Sequence, residues 1–294
     1  MIRITSGMTA ADVLASIESI NDRLANTQNI LATGKQINQP SDDPYGTARS
    51  LDLRGNLAQT KQYETNVGEA QSWLTVTDTA LGNISDLVNR ARTLVVQAAN
   101  GTLGQSDLQN ISTELTQIID SVKNEANAQY AGRYVFAGTS ANQPYTTAND
   151  NYNGDANAVT REIGPGVKLQ ISTIGSNAIG DGTTGLLKAL RDVVSDLNAG
   201  NQTGLQSTDL QQIDTAQNQL LNERAKVGAI SNRLDTASNR LAQLEQVSTS
   251  QLSTTEDADM AKTMIDLSQE QAVYQAALRA GANLLQPSLM DFLH

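Results

Sequence analysis

The sequence predicts a mainly α protein: an elongated helical rod with coiled-coil helices at both ends, an antiparallel helical bundle and a small β-rich inserted domain. Three observations predict it. Apolar residues recur in alternating steps of three and four at both ends and through much of the middle, the spacing of helices that pack along their length. Of 294 residues, 39% are hydrophobic but only 3% are aromatic, with one Trp and two Phe. Such a composition suits thin aliphatic seams better than a thick globular core. One stretch, 131–185, replaces the helical pattern with Gly, Asn and Thr.

The first seam is Val13, Ile17, Ile20, Leu24, Thr27 and Leu31. Pro40-Ser41-Asp42-Asp43-Pro44 then punctuates the chain. Pro40 is expected to end the preceding helix, Ser41 or Asp42 to cap the next, and Pro44 to sit in its first turn. A second seam runs Val67, Ala70, Leu74, Thr77, Leu81, Ile84, Val88, Ala91, Val95 and Ala98, a helix of about 48 Å at about 1.5 Å per residue. Asn100-Gly101-Thr102-Leu103-Gly104 breaks it, and Ser106 or Asp107 is a suitable N-cap for a helix through Leu108, Ile111, Leu115, Ile118 and Val122. A short loop between long helices makes them antiparallel neighbours. Arg133–Ala137 and Val167–Ile171 read as strands.

Helical pattern returns with Leu186, Leu187, Leu190, Val193, Val194 and Leu197, ended by Asn198-Ala199-Gly200. A long helix over 207–251 follows, with seam Val227, Ile230, Leu234, Ala237, Leu241 and Leu244. Ser253-Thr254-Thr255-Glu256 fits a capping box, and Thr255 followed by Asp257 and Asp259 is an equally good helix start. The last seam is Met260, Met264, Leu267, Gln271, Tyr274, Leu278, Gly281 and Leu285.

These seams need partners, so the two halves are expected to fold back on one another. Residues 1–45 and 250–294 make a terminal helical assembly domain, 46–130 and 186–249 a helical bundle, and 131–185 a small β-rich outer domain. Terminal helices have little core to hide against. Val13, Ile17, Ile20, Leu24, Leu31, Met260, Met264, Leu267, Tyr274, Leu278 and Leu285 are therefore the candidate assembly interface. Six to eight seam residues per terminal helix could contribute on the order of ten kcal/mol. Ordering about 80 terminal residues costs more than that, so isolated ends should be loose and many subunits should order them together.

Chemistry is nearly excluded. His294 is the only histidine and there is no cysteine, which removes Ser–His and Cys–His triads, HExxH zinc sites and disulfides. No phosphate loop or dinucleotide fingerprint is present. Acids at 42 and 43, or at 256, 257 and 259, are better read as helix-end residues than as sites. Neither an enzyme nor a cofactor is expected. A net charge of −11 argues against a nucleic-acid partner, and no run of 18 apolar residues argues for membrane insertion. Residues 1–20 lack the apolar run of a Sec-type signal peptide.

Both ends resemble bacterial flagellin and its relatives. Leu31-Ala32-Thr33-Gly34-Lys35-Gln36-Ile37-Asn38, continuing into Ser41-Asp42-Asp43, and Glu256-Asp257-Ala258-Asp259-Met260-Ala261 carry the resemblance. Finer features are similar to the hook–filament junction branch of that family, the third hook-associated proteins, rather than to flagellin itself. They are Met1-Ile2-Arg3-Ile4-Thr5, Gln39–Pro44, Gly132-Arg133-Tyr134-Val135-Phe136-Ala137-Gly138, Tyr152-Asn153-Gly154-Asp155 and Gln286–Leu293.

The resemblance implies a flagellin-like fold and a non-enzymatic structural subunit of the bacterial flagellum. It implies export through the flagellar type III apparatus and an extracellular place at the hook–filament junction. The implied partners are copies of the chain in a ring, the hook-side junction protein (the first hook-associated protein), flagellin, and a flagellar export chaperone. A flagellin filament subunit is the alternative. An enzyme domain displayed on a helical rod, with its chemistry in 131–185, is the weaker one.

Overall fold

The computed structural model describes residues 6–101 and 103–285. The opening 1–5 and the ending 286–294, both used in the resemblance, lie outside the described residues. The chain divides into two compact units, one built from residues up to Ala58 with those from Glu245 onward, the other from Gln59–Leu244. The boundaries fall inside two long helices, α2 (Pro44–Ala99) and α7 (Leu210–Glu256).

In the first unit, α1 (Ser6–Thr33) packs against α8 (Met260–Leu285). The helix expected to reach Pro40 ends at Thr33, because Gly34 takes the left-handed conformation at φ +70° and stops it. Nor does Ser41 or Asp42 cap α2. Asp43 does, accepting the Tyr45 N–H at 3.1 Å. Asp42 turns back instead and accepts the N–H groups of Gln39 and Asn38 at 2.9 and 3.0 Å, which hold its carboxyl below the ordinary value. The caps expected at Ser253 and Thr255 lie inside α7, where the hydroxyls of Thr254 and Thr255 donate to carbonyls one turn earlier. Asp259 caps α8, taking the N–H groups of Ala261 and Lys262 at 3.0 and 3.1 Å.

The second unit is built on the stripe of α2. All ten of its predicted seam positions, Val67 to Ala98, are 2% exposed or less. Along α2, Gln71, Asp78 and Arg92 bond in turn to Asp235, Arg224 and Asp214 of α7. Rising numbers on one helix meet falling numbers on the other, so the pair is antiparallel. Asn83 with Glu125 and Arg90 with Glu114 set the same sense between α2 and α3 (Gln105–Ala126). The cap of α3 is Gly104 rather than Ser106 or Asp107, and Asp107 accepts the Gly104 N–H from one turn inside, at 3.3 Å. Leu244, last in the predicted α7 seam, is exposed.

The expected strand at Arg133–Ala137 is shorter. Only β2 (Arg133–Tyr134) pairs, with β1 (Gln129–Tyr130). Val135, Phe136 and Ala137 are fully buried, and their backbone serves three separate segments. Val135 donates to the Ala128 carbonyl, while the Phe136 and Ala137 carbonyls accept from Gly175 and Asp155. β3 (Thr160–Gly164) and β4 (Val167–Gln170) form the second antiparallel pair. The short α4 (Gly175–Ala178) leads into α5 (Leu186–Ala199), then α6 (Gln202–Gly204) and a π-helical turn (Leu205–Asp209) that enters α7. Phe136, Tyr145, Ile171 and Ile179 belong to the same hydrophobic cluster as α2, α3, α5 and α7. Trp73 lies in it too, edge-on to Tyr130.

One ion network here reaches from a buried lysine to the surface. Lys123 of α3, 2% exposed, meets Asp150 at 2.6 Å and donates to the Asn149 carbonyl at 3.0 Å, and Arg191 of α5 grips the same Asp150 at 2.7 Å. Asp150→Ala leaves Lys123 buried with its charge unpaired. Urea denaturation should show a loss of about 3–5 kcal/mol, whereas Arg90→Ala in the exposed pair with Glu114 should stay within about 1 kcal/mol.

Candidate assembly interface

The candidate interface residues gather on α1 and α8, which the structure brings together. On α1 the stripe lies where the spacing places it. Ile20 is buried, and Val13, Ile17, Leu24 and Leu31 are half-buried. On α8 the stripe is displaced. The positions with least exposure are Thr263, Asp266, Leu267, Glu270, Tyr274, Ala277 and Gly281. Leu267, Tyr274 and Gly281 stand there as the spacing places them. Met260, Met264 and Leu278 are instead 39%, 55% and 44% exposed, beside exposed Ile265 and Val273. The side chain of Leu285 lies outside the described residues.

The displacement has a steric reason. A Cβ on Gly281 would stand 3.3 Å from Val13 Cγ1 and 3.5 Å from Ile17 Cδ1. α8 approaches α1 closely at Gly281, and Met260, Met264 and Leu278 are left outward. Apolarity alone cannot separate a stripe chosen for closeness from one chosen for hydrophobicity.

A joint fixes the base of this helix pair. Gln36 N–H donates to the Glu256 carbonyl at 2.7 Å and Ala258 N–H to the Gly34 carbonyl at 3.0 Å, with Lys35 and Asp257 forming an antiparallel bridge. The Glu256 carboxylate, 5% exposed, takes Lys35 Nζ at 3.0 Å and Arg54 Nη2 at 2.7 Å on one oxygen. Burial by itself pushes this carboxyl up. Hydrogen bonds from Arg54 and then Lys35 outweigh it and hold the group below its ordinary value. Three segments far apart in sequence, the end of α1, α2 and the end of α7, thus share one charge. Sequence spacing carries no signal for such a triplet, and Glu256 was assigned to capping.

Two family models match the chain, the bacterial flagellin N-terminal helical region over residues 4–141 and the C-terminal helical region over 210–293. The chain belongs to the flagellin family. It is therefore a structural component of the bacterial flagellum, with a flagellin-like helical fold. Among curated relatives of this family, Bacillus subtilis flagellin is 28% identical over 99% of this chain and 100% of its own length. Escherichia coli flagellar hook-associated protein 3 is 25% identical over 89% of this chain and 90% of its own. The crystal structure of Bacillus cereus FlgL superimposes with a TM-score of 0.61 at 26% identity, covering 69% of this chain and 99% of that one. Among the described residues no helix is long and apolar enough to cross a membrane.

Glu256→Gln tests the joint. A folded-state carboxyl value below the ordinary one contributes stability at neutral pH that is lost as pH falls through the folded value. Corrected for intrinsic rates, the protection of the Gln36 and Ala258 amides against hydrogen exchange should therefore fall as the wild-type protein is acidified. In the Gln variant these amides should already exchange faster at pH 7, by the equivalent of about 1–3 kcal/mol.

Proposed function

We propose that this chain is the hook–filament junction subunit of the flagellum, in preference to a flagellin filament subunit. The observation that carries the reading is the match to Bacillus cereus FlgL across 99% of that chain, supported by the near full-length similarity to hook-associated protein 3. The ending Gln286–Leu293 and the short 131–185 segment favour the same reading over flagellin. The subunit leaves the cell through the flagellar export apparatus, met on the way by an export chaperone. It then assembles with copies of itself in a ring, between the first hook-associated protein and flagellin.

In this reading the terminal helices 1–45 and 250–294 form the assembly domain, 46–130 with 186–249 the supporting bundle, and 131–185 the outer lobe. The outward residues Met260, Met264, Ile265, Val273 and Leu278 are the part of α8 left for neighbouring subunits, since α1 covers the other stripe. Apolar groups of this size contribute about 1.5–3 kcal/mol each when fully buried. The contribution repeats at every subunit.

Deleting the gene should leave hooks intact while monomeric flagellin spills into the medium. Intact filaments after deletion would overturn the junction reading. Leu278→Asp should leave export and the thermal melt of the monomer unchanged, because this side chain is already 44% exposed. Filament retention on the hook should be lost, because the ring would bury an unpaired charge at each subunit. Swimming at the wild-type level would exclude this stripe from the assembly.

A further inference from the structure

Asp209 closes the π-helical turn that joins α6 to α7, and it is 2% exposed. Its Oδ2 is buried without a hydrogen-bond partner. Asp196 lies on α5, which packs against the turn, and its charge acts on the Asp209 carboxyl. Asp196 is itself pressed onto the turn. A Cβ on Gly204 would lie 2.0 Å from Asp196 Oδ2, so a larger residue there would displace that carboxylate. The backbone carbonyl of Asp196 accepts the Asn201 N–H at 2.9 Å. On the other side, Gln206 donates to the Ala99 carbonyl at the end of α2, at 2.7 Å. The turn is thus held at both flanks, with the Asp209 carboxyl buried at its end and the Asp196 carboxylate against Gly204.

We propose that Asp196 and Asp209 form a proton-sensitive latch: sharing one proton they clamp the π-helical turn to α5, and on losing it they repel and let the turn open. Burial first, then the charges of Asp196 and Asp192, push the Asp209 carboxyl up to about 6, while Lys188 opposes them. Lys188 is engaged with Asp192 at 2.5 Å, so it does not neutralise the pair directly.

The sign follows from linkage. A carboxyl raised on folding contributes stability below its unfolded value of 3.8, and that stability is lost as pH rises through about 6. Asp150, Asp155 and Asp181 in the same unit are shifted the opposite way, so they are already ionised in that range. The interval from about pH 4.5 to 7 reports this latch.

Hydrogen exchange on the full-length protein, corrected for intrinsic rates, tests it at the backbone amides of 201–212. Opening of this segment should be about 25-fold more frequent at pH 7.5 than at pH 4.5, as carboxyl values of 3.8 unfolded and about 6 folded require over that interval. Asp209→Asn should remove the dependence and protect the segment at both pH values. Asp196→Asn should lower the midpoint of the transition, and Lys188→Gln should raise it. Equal opening of the wild-type segment at both pH values overturns the latch, as does a dependence that survives Asp209→Asn. If Asp209→Asn does not fold, the other two variants decide, and a midpoint that neither moves also overturns it.

Discussion

Burial of one narrow stripe per helix is the constraint on which the second unit depends. Val67 to Ala98 of α2 lose almost all contact with water at every third or fourth residue. The stripe is made of Val, Leu, Ile, Ala and one Thr, so each turn hides little area and the helix must be long to hide enough. Small residues such as Ala70, Ala91 and Ala98 let neighbours come close, which restores through packing what the missing aromatics do not supply. The polar flanks then fix the register. Asp78 with Arg224 and Arg92 with Asp214 are exposed pairs of modest worth, but they favour one alignment of α2 on α7 over a slip by a turn.

The first unit follows the same rule with less to hide. Among the described side chains of α1, Ile20 is the one apolar group that is buried. The α1–α8 pair therefore leans on backbone and charge. Two main-chain hydrogen bonds and a buried carboxylate shared by two cations fasten its base. Close approach at Gly281 fastens its far part. The remaining apolar side chains of α8 lie outward, and a subunit that joins others has a use for such a surface. The unit's sparse intramolecular core and its capacity for assembly are two sides of one distribution of apolar area.

Much of this was legible residue by residue. The α2, α3 and α5 stripes fall where the steps of three and four place them, because each faces one shared apolar core and periodicity reports that face. The stretch 133–137 misled. Its β-branched and aromatic residues look like a strand, yet Phe136 and its neighbours are buried on all sides and bond to three segments, so a ladder has no room to continue. Helix ends misled as well. Several residues at each end could cap, and the one that does so is decided by where the chain comes from. Thus Asp43 caps α2 because Asp42 is taken by Asn38 and Gln39.

What the sequence alone determined is the class: long helices, a thin aliphatic core, a β-rich interruption and a flagellin-like pair of ends. Periodicity and composition are local quantities, and these features are their sums. What only the tertiary structure decided is which face of α8 meets α1, that Glu256 joins Lys35 to Arg54, and that the charge of Asp196 acts on Asp209 at the π-helical turn. Each depends on residues brought together from different elements. Their energies come from proximity and exclusion of water, and neither is written in the order of the chain.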